Sequence, residues 1–263
     1  IIVLRGRQAH LVGADGTIRW SFTAGGISRA VCTGDLNGDG VPEVLVGSDD
    51  EHVYILDRSG KELRRHHCDI PLRVGRSSVR DPRVGTLAVG DLEGDGKPDI
   101  IVGLLNANLV RYDTDFNMVW RVDSIEHGSR ELELRDLDGD GKLEILAANK
   151  YGHVEIFNAA GTQLAGPYSE LGDVEMAIGD MNGDGKPEIA NGSSTGALRV
   201  MTFGGDYTFD FPNYGFAVRQ ALMADMTGDG TDELLIGSET GYVYIVGAEG
   251  KVIAQHNFQD TVT

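Results

Sequence analysis

Short unbroken apolar runs punctuate this chain at regular intervals. They are Val44-Leu45-Val46-Gly47, Ile100-Ile101-Val102-Gly103, Ile145-Leu146-Ala147-Ala148, Ile189-Ala190 and Leu234-Leu235-Ile236-Gly237. Runs this short, bounded by turn residues, read as buried strands. Around the first run the pattern predicts four strands: Ser28 to Gly34, Val44 to Ser48, His52 to Asp57 and Glu62 to His67. The third and fourth are joined by the turn Asp57-Arg58-Ser59-Gly60, and the same idea recurs at 158–161 and 247–250.

Between the first and second strands lies a polar stretch that occurs five times. The copies are GDLNGDGVPEVLVG from Gly34, GDLEGDGKPDIIVG from Gly90, RDLDGDGKLEILAA from Arg135, GDMNGDGKPEIANG from Gly179 and ADMTGDGTDELLIG from Ala224. The leading aspartates are Asp35, Asp91, Asp136, Asp180 and Asp225, spaced 56, 45, 44 and 45 residues apart. A period near 45 residues marks a repeat architecture. The 263 residues fit one all-β domain spanning 1–263, with no linker between parts.

Each copy places oxygen side chains at alternate positions and an acid at the ninth. These are Asp35, Asn37, Asp39 and Glu43; Asp91, Glu93, Asp95 and Asp99; Asp136, Asp138, Asp140 and Glu144; Asp180, Asn182, Asp184 and Glu188; and Asp225, Thr227, Asp229 and Glu233. The seventh residue, Val41, Lys97, Lys142, Lys186 or Thr231, adds a backbone carbonyl. A hard cation takes six to eight oxygens at about 2.3–2.6 Å, so the chain must wrap tightly around it. Glycine at the sixth position (Gly40, Gly96, Gly141, Gly185, Gly230) allows that turn. The first half matches an EF-hand loop; the second does not, because the twelfth position is Val46, Val102, Ala147, Asn191 or Ile236 rather than an acid, and strands rather than helices flank it. Asp, Asn and Gly also make ordinary turns. Five copies with their oxygens in register point to metal, and about five Ca²⁺ ions are expected.

These loops resemble the calcium-binding FG-GAP/VCBS repeats of integrin-alpha-like β-propellers. The resemblance covers nearly the whole chain. It implies a β-propeller of four-stranded blades with calcium sites, but no single function, because one fold hosts many.

On that template the chain counts six blades, or seven if a parent protein carries another repeat. Ala9 to Gly16 aligns with Val243 to Gly250, which makes Ile1 the second residue of a second strand. Residues 257–263 would then supply the missing first strand, with Thr261 to Thr263 pairing beside Ile1 to Leu4 and closing the ring. Closure removes exposed sheet edges. The start at Ile1 rather than Met fits a mature protein or an excised domain, and no signal peptide is read.

Net charge is −18, and the five loops hold 17 of the 41 acids. Five bound Ca²⁺ would leave about −8, so much of the acidity is metal-site charge. Nucleic-acid binding is excluded by the lack of a basic footprint, and no apolar run nears the roughly 20 residues of a membrane helix. Cys32 and Cys68 fall on the first and fourth strands of one blade, about 14 Å apart. That is too far for a disulfide, so both are expected to be free thiols.

The end of each blade opposite the calcium loops carries an unexpected set of cations. The longest interval owes its extra residues to a loop from Asp69 to Arg83 that holds Arg73, Arg76, Arg80 and Arg83. Arg29, Arg130 and Arg219 each stand six residues before a leading aspartate, in alternate blades. Either these arginines pair with local acids, or they receive an anionic ligand.

Neither a G-x-S-x-G elbow nor an H-E-x-x-H motif is present. The leading expectation is a non-catalytic, calcium-stabilised binding module of a larger extracellular, cell-surface or periplasmic protein. It would recognise a protein or glycan, possibly anionic, as a monomeric domain. Polysaccharide lyase chemistry is the alternative, with Arg130, His127, Tyr168, Tyr214 and Arg219 as its groups; a purely structural spacer is the third.

Overall fold

The computed structural model describes residues 1–74, 77–79, 81–123, 128–149, 153–168, 174–193 and 196–259. They form an all-β chain. The first sheet has three antiparallel strands, β1 (Ile2–Arg5), β2 (Gln8–Val12) and β3 (Ile18–Thr23). The second has four: β4 (Ser28–Gly34), β5 (Glu43–Ser48), β6 (His52–Leu56) and β7 (Glu62–His67). A two-stranded ribbon follows, β8 (Leu72–Val74) with β9 (Ser77–Val79). The third sheet is β10 (Val84–Gly90), β11 (Asp99–Leu104), β12 (Leu109–Tyr112) and β13 (Met118–Val122). The fourth is β14 (Ser129–Arg135), β15 (Glu144–Asn149), β16 (Val154–Phe157) and β17 (Gln163–Tyr168). The fifth is β18 (Val174–Gly179), β19 (Glu188–Ser193), β20 (Leu198–Met201) and β21 (Tyr207–Phe211), and the sixth is β22 (Val218–Ala224), β23 (Glu233–Ser238), β24 (Tyr242–Val246) and β25 (Val252–Asn257).

In every sheet the strand order is the chain order, so each is a meander of hairpins. The four strands predicted around the first loop are present to within a residue. The predicted loop from Asp69 to Arg83 contains the β8–β9 ribbon, which the sequence reading missed because the segment lacks a run of apolar residues. The strands expected from Thr261 to Thr263 lie outside the described residues.

The second strands β5, β11 and β15 are buried at every residue. Both faces of these strands are covered, which is why their sequences run apolar without alternation. The fourth strands β7 and β25 are mostly exposed.

The chain divides into two compact units, one mainly residues 1–135 and the other mainly 163–263. In the first unit, Ala9, Ala24, Val44, Val46, Tyr54 and Leu56 make a core between the first and second sheets. Leu45, Ile55, Leu87, Ile100, Val102 and Tyr112 make the next, between the second and third. In the second unit, Leu198, Val200, Phe209, Phe211, Val218, Leu234, Ile236 and Tyr244 join the fifth and sixth sheets. Each core is therefore the face of one sheet laid on the next.

A polar clasp reinforces this stacking. Trp20 on β3 donates its Nε1–H to the Arg58 carbonyl at 3.1 Å. Its ring lies over Gly60, where an added Cβ would meet Trp20 Cδ2 at 2.5 Å. Trp120 on β13 repeats this on the Ala159 carbonyl at 2.7 Å and over Gly161. On β7 the equivalent residue is Arg64, which donates to the Thr114 carbonyl. There Phe116, not glycine, takes the left-handed turn position (φ +62°) and stacks on His66 with centroids 4.4 Å apart.

Candidate metal loops and binding pocket

In the loop between β4 and β5 the leading carboxylate organises the backbone. Asp35 accepts the N–H groups of Gly38 at 2.8 Å, Asp39 at 3.2 Å and Gly40 at 2.8 Å. Those N–H groups, Gly40 foremost, hold its pKa below the usual carboxylate value. Asn37 and Asp39 each accept the N–H two residues on, at 2.8 Å. Glu43 is buried; it accepts Leu36 N–H and the Asn37 side-chain N–H, both at 2.9 Å. The Asn37 amide is thereby oriented, with its oxygen turned away from Glu43.

The loop between β18 and β19 reproduces this network. Asp180 accepts Gly183 and Gly185 N–H at 2.7 and 2.8 Å. Asn182 and Asp184 accept Asp184 and Lys186 N–H at 2.8 Å each. Glu188 accepts Met181 N–H and the Asn182 amide at 3.0 and 2.7 Å. Between β22 and β23, Asp225 accepts Gly228 and Gly230 N–H at 2.6 and 3.1 Å, and Asp229 accepts Thr231 N–H at 2.9 Å. Thr227 takes the place of asparagine by donating its hydroxyl to Glu233 at 3.2 Å. Positions four and six both adopt left-handed backbone, as at Gly38 (φ +75°) and Gly40 (φ +81°). The sequence reading recognised the second glycine and not the first.

The residues fit a hard cation. In the β14–β15 hairpin, oxygens of Asp136, Asp138 and Glu144 lie within 4.8 Å of one another. Oxygens on opposite sides of a Ca²⁺ are at most about 5 Å apart. Asp140 follows, its N–H donating to Asp138 at 3.1 Å. Burial, with the charges of Asp184 and Asp180, pushes Glu188 above the ordinary carboxylate range, against the pull of the Met181 N–H. A cation among these groups reverses that sign.

The β10–β11 loop differs. Asp91 accepts Asp95 and Gly96 N–H at 3.1 and 2.6 Å, and Asp95 accepts Lys97 N–H at 2.9 Å. The ninth residue, Asp99, is engaged by the buried Arg111 of β12, which also reaches Glu93 at 3.0 Å and the Ala159 carbonyl at 2.7 Å. Sequence reasoning missed Arg111. The available signal was that its counterparts in register, Ile55, Val200 and Ile245, are all apolar.

At the opposite end of the sheets the arginines separate into two kinds. Arg29 and Arg219 sit where the first strand slips register against the second, between Ser28 and Ala30 and between Val218 and Gln220. Such bulges re-aim a side chain. Arg29 pairs with Asp49, its Nη2 at 2.8 Å, and Arg219 with Glu239 at 2.9 Å. Arg83 chelates Asp81, with Nε at 2.5 Å and Nη2 at 2.8 Å. Arg130 makes no ion pair among the described residues. Asp49 and Glu239 each stand fourteen residues after a leading aspartate, and the residue so placed after Asp136 is Lys150. Arg73 belongs to β8, and its side chain, like Arg76, Arg80, His127 and the Tyr168 side chain, lies outside what is described.

Arg29 and Arg130 flank a pocket of about 370 Å³ floored by Ser28, Gly85, Leu105 and Ser129. Gly85 and Leu105 occupy the positions that hold Arg29 and Asp49 one sheet earlier, so the pair found there has no counterpart here. The Ser28 hydroxyl is buried and has no hydrogen-bond partner among the described residues.

FG-GAP repeats are found in this chain: an FG-GAP repeat matches residues 29–56, and FG-GAP-like repeats match 136–190 and 180–236. No curated protein sequence matches it. Among solved structures, BBS1N in complex with ARL6DN aligns with TM-score 0.75 at 14% identity, covering 98% of this chain and 77% of the other. The mitotic checkpoint complex contains a chain that aligns with TM-score 0.73 at 14% identity, covering 99% and 74%. BamB from Moraxella catarrhalis aligns with TM-score 0.63 at 16% identity, covering 100% and 75%. At these identities the likeness is one of fold, that of the β-propellers. Among the described residues no helix is long and apolar enough to cross a membrane.

Proposed function

From a chain of FG-GAP repeats, we propose a non-catalytic, calcium-stabilised binding module of a larger extracellular, cell-surface or periplasmic protein. The whole of 1–263 works as one propeller domain of six blades. Calcium in the hairpin loops neutralises carboxylates that otherwise repel one another, and an ion that binds only the folded state stabilises it by mass action. Ligand binds at the ends of the sheets away from the metal.

The observation that carries the binding half is Arg130. Among the described residues it is a cation without an acidic partner, and it lines a pocket whose other arginine is already paired. Such a pocket suits a carboxylate or sulfate, because the guanidinium offers two parallel donors. Acidic glycans and acidic protein segments both present these groups. That BBS1N was solved with a second protein bound fits use of this fold as a docking platform.

Two measurements test the reading. Calorimetric titration and melting curves with and without EGTA report calcium; melting that ignores EGTA sinks the metal half. Binding of heparin fragments and of a poly-glutamate peptide, compared between wild type and Arg130→Ala, reports the pocket. Equal binding by both proteins sinks the second half.

A further inference from the structure

The second unit holds a cradle that none of the arginines touches. Tyr214, Phe216, Tyr242, Tyr244, Thr240 and Gln255 line a pocket of about 320 Å³. Among the described residues none that lines it is charged, in a chain where 24% of residues are. Tyr242 and Tyr244 alternate on one face of β24, their rings stacked 15° from parallel with centroids 5.6 Å apart. Gln255 lies opposite Tyr244 on β25, hence on the same face. The hydroxyls of Tyr214, Tyr242 and Tyr244 and the Gln255 amide make no hydrogen bond among the described residues.

The segment that completes the cradle is strained. Asn213, Tyr214 and Gly215 take φ values of +36°, +54° and +84° in succession. A tyrosine in left-handed backbone costs free energy, and such residues persist where their surroundings hold them. The buried Asn213 donates its side-chain amide to the Phe216 carbonyl at 2.5 Å. Gly196 lies so close beneath that an added Cβ would stand 2.4 Å from the Gly215 carbonyl carbon. The result is a tyrosine 74% exposed and a phenylalanine 46% exposed beside the stacked pair.

The second sheet supplies an internal comparison, because its frame is the same and its tyrosine is fully engaged. Tyr54 corresponds to Tyr244 in strand register. Its hydroxyl donates to Asp50 and accepts Gly25 N–H at 3.0 Å. The Arg65 guanidinium lies over its ring at 5.0 Å; both tyrosines are buried, Tyr54 at 1% and Tyr244 at 5% exposure. In the sixth sheet, Thr240 replaces Asp50 and Gln255 replaces Arg65. The connection into the first strand is residues 212–217 rather than 24–27, two residues longer. The two substitutions each remove a charge, and the second also removes the group that lies over the ring.

We propose that this cradle binds a neutral pyranose ring of a glycan chain with equatorial substituents. Such a ring presents apolar axial C–H faces to aromatic walls and hydroxyls at its edge to the tyrosine, threonine and amide groups. Charged ligands find no counter-charge there. The proposal rests on reading the chain as a binding module, but on a site independent of Arg130.

The test uses calcium-loaded protein and cellopentaose, followed by saturation-transfer NMR and calorimetry. Tyr214→Ala should weaken binding by about tenfold or more, as loss of a central aromatic anchor does. Thr240→Asp combined with Gln255→Arg, which rebuilds the arrangement of the second sheet, should abolish it while the melting curve stays cooperative. Arg130→Ala should leave it unchanged even if that variant loses heparin binding. The proposal is overturned if wild type gives no saturation transfer to cellopentaose. It also fails if the Thr240/Gln255 double variant binds as well as wild type, or if a proline-rich peptide binds and cellopentaose does not.

Discussion

Arg111 closes on Asp99 with two parallel hydrogen bonds, Nε to Oδ1 at 2.8 Å and Nη2 to Oδ2 at 3.0 Å. Both residues are buried. Asp99 is the ninth residue of the second loop, and it is the one copy in which that residue is aspartate rather than glutamate. The long guanidinium meets the shorter acid. With Glu93 also on Arg111, a fixed cation stands beside the place where the other copies would put a metal.

Arg111→Ile, which installs the residue found at the matching place in the second sheet, should therefore split stability by calcium. Breaking a buried ion pair from one side costs about 3–5 kcal/mol, because the other charge is left uncompensated. In EGTA the variant should melt well below wild type. In saturating calcium much of that loss should return, since the freed Asp99 and Glu93 gain a metal partner. Paired melting curves check this; an equal loss in both conditions refutes the link to metal.

The turns between third and fourth strands should govern part of the acid response. Asp57 accepts Ser59 Oγ at 2.6 Å and the N–H groups of Ser59 and Lys61 at 2.8 and 3.1 Å. The Ser59 hydroxyl, chiefly, holds its pKa below the ordinary value, and Arg83 does the same for Asp81. A carboxyl with a depressed folded pKa adds stability above its unfolded pKa and loses it as pH falls through the folded one. Stability should thus decline below about pH 4, the unfolded aspartate range. Asp57→Asn should flatten that decline and cost little at neutral pH. Asn158 already fills the same role in the fourth sheet, accepting Ala160 and Thr162 N–H at 3.1 and 2.9 Å. Urea midpoints from pH 3 to 7 measure it; an unchanged acid slope would remove Asp57 from the account.

What was legible in the sequence follows from period and local chemistry. Strand positions around the first loop were readable because β5 is covered on both faces and so runs apolar. The loop residues were readable because a metal site repeats its oxygens at fixed spacing. Contacts between consecutive sheets were not. Arg111 reaches the Ala159 carbonyl across 48 residues. Nothing local marks Trp20 as the cap of Gly60, or Phe116 as a left-handed residue held by His66. The arginines were visible as a set, but whether each finds an acid depends on the residue at the far end of a neighbouring strand. The same spacing from the leading aspartate delivers Asp49 to Arg29 and Glu239 to Arg219.

Both thiols should be unreactive in the folded protein. Cys32 and Cys68 are free, and burial pushes each up to about 12. The thiolate is the reactive species, so at pH 8 almost none is present. Ellman's reagent should label neither residue in native, calcium-loaded protein and two thiols per chain after denaturation. Cys68 is buried and Cys32 half-buried, so rapid reaction of Cys68 before unfolding, identified by mass spectrometry, would contradict its burial.

The Trp20–Gly60 clasp predicts non-additivity of a definite sign. Trp20→Phe keeps an aromatic ring but loses the Nε1–H bond to Arg58, worth about 0.5–1.5 kcal/mol. Gly60→Ala meets two costs. Its φ of +80° is unfavourable for any L side chain, by roughly 1–2 kcal/mol. Its new methyl also collides with the Trp20 ring, standing 2.5 Å from Cδ2. Trp20→Ala removes the obstacle, so in that background Gly60→Ala should cost only the backbone term. The double variant should then be more stable than the sum of the single losses predicts. Guanidinium unfolding in saturating calcium measures the cycle, and losses that add within the error of independent sites would mean that ring and glycine do not bear on each other.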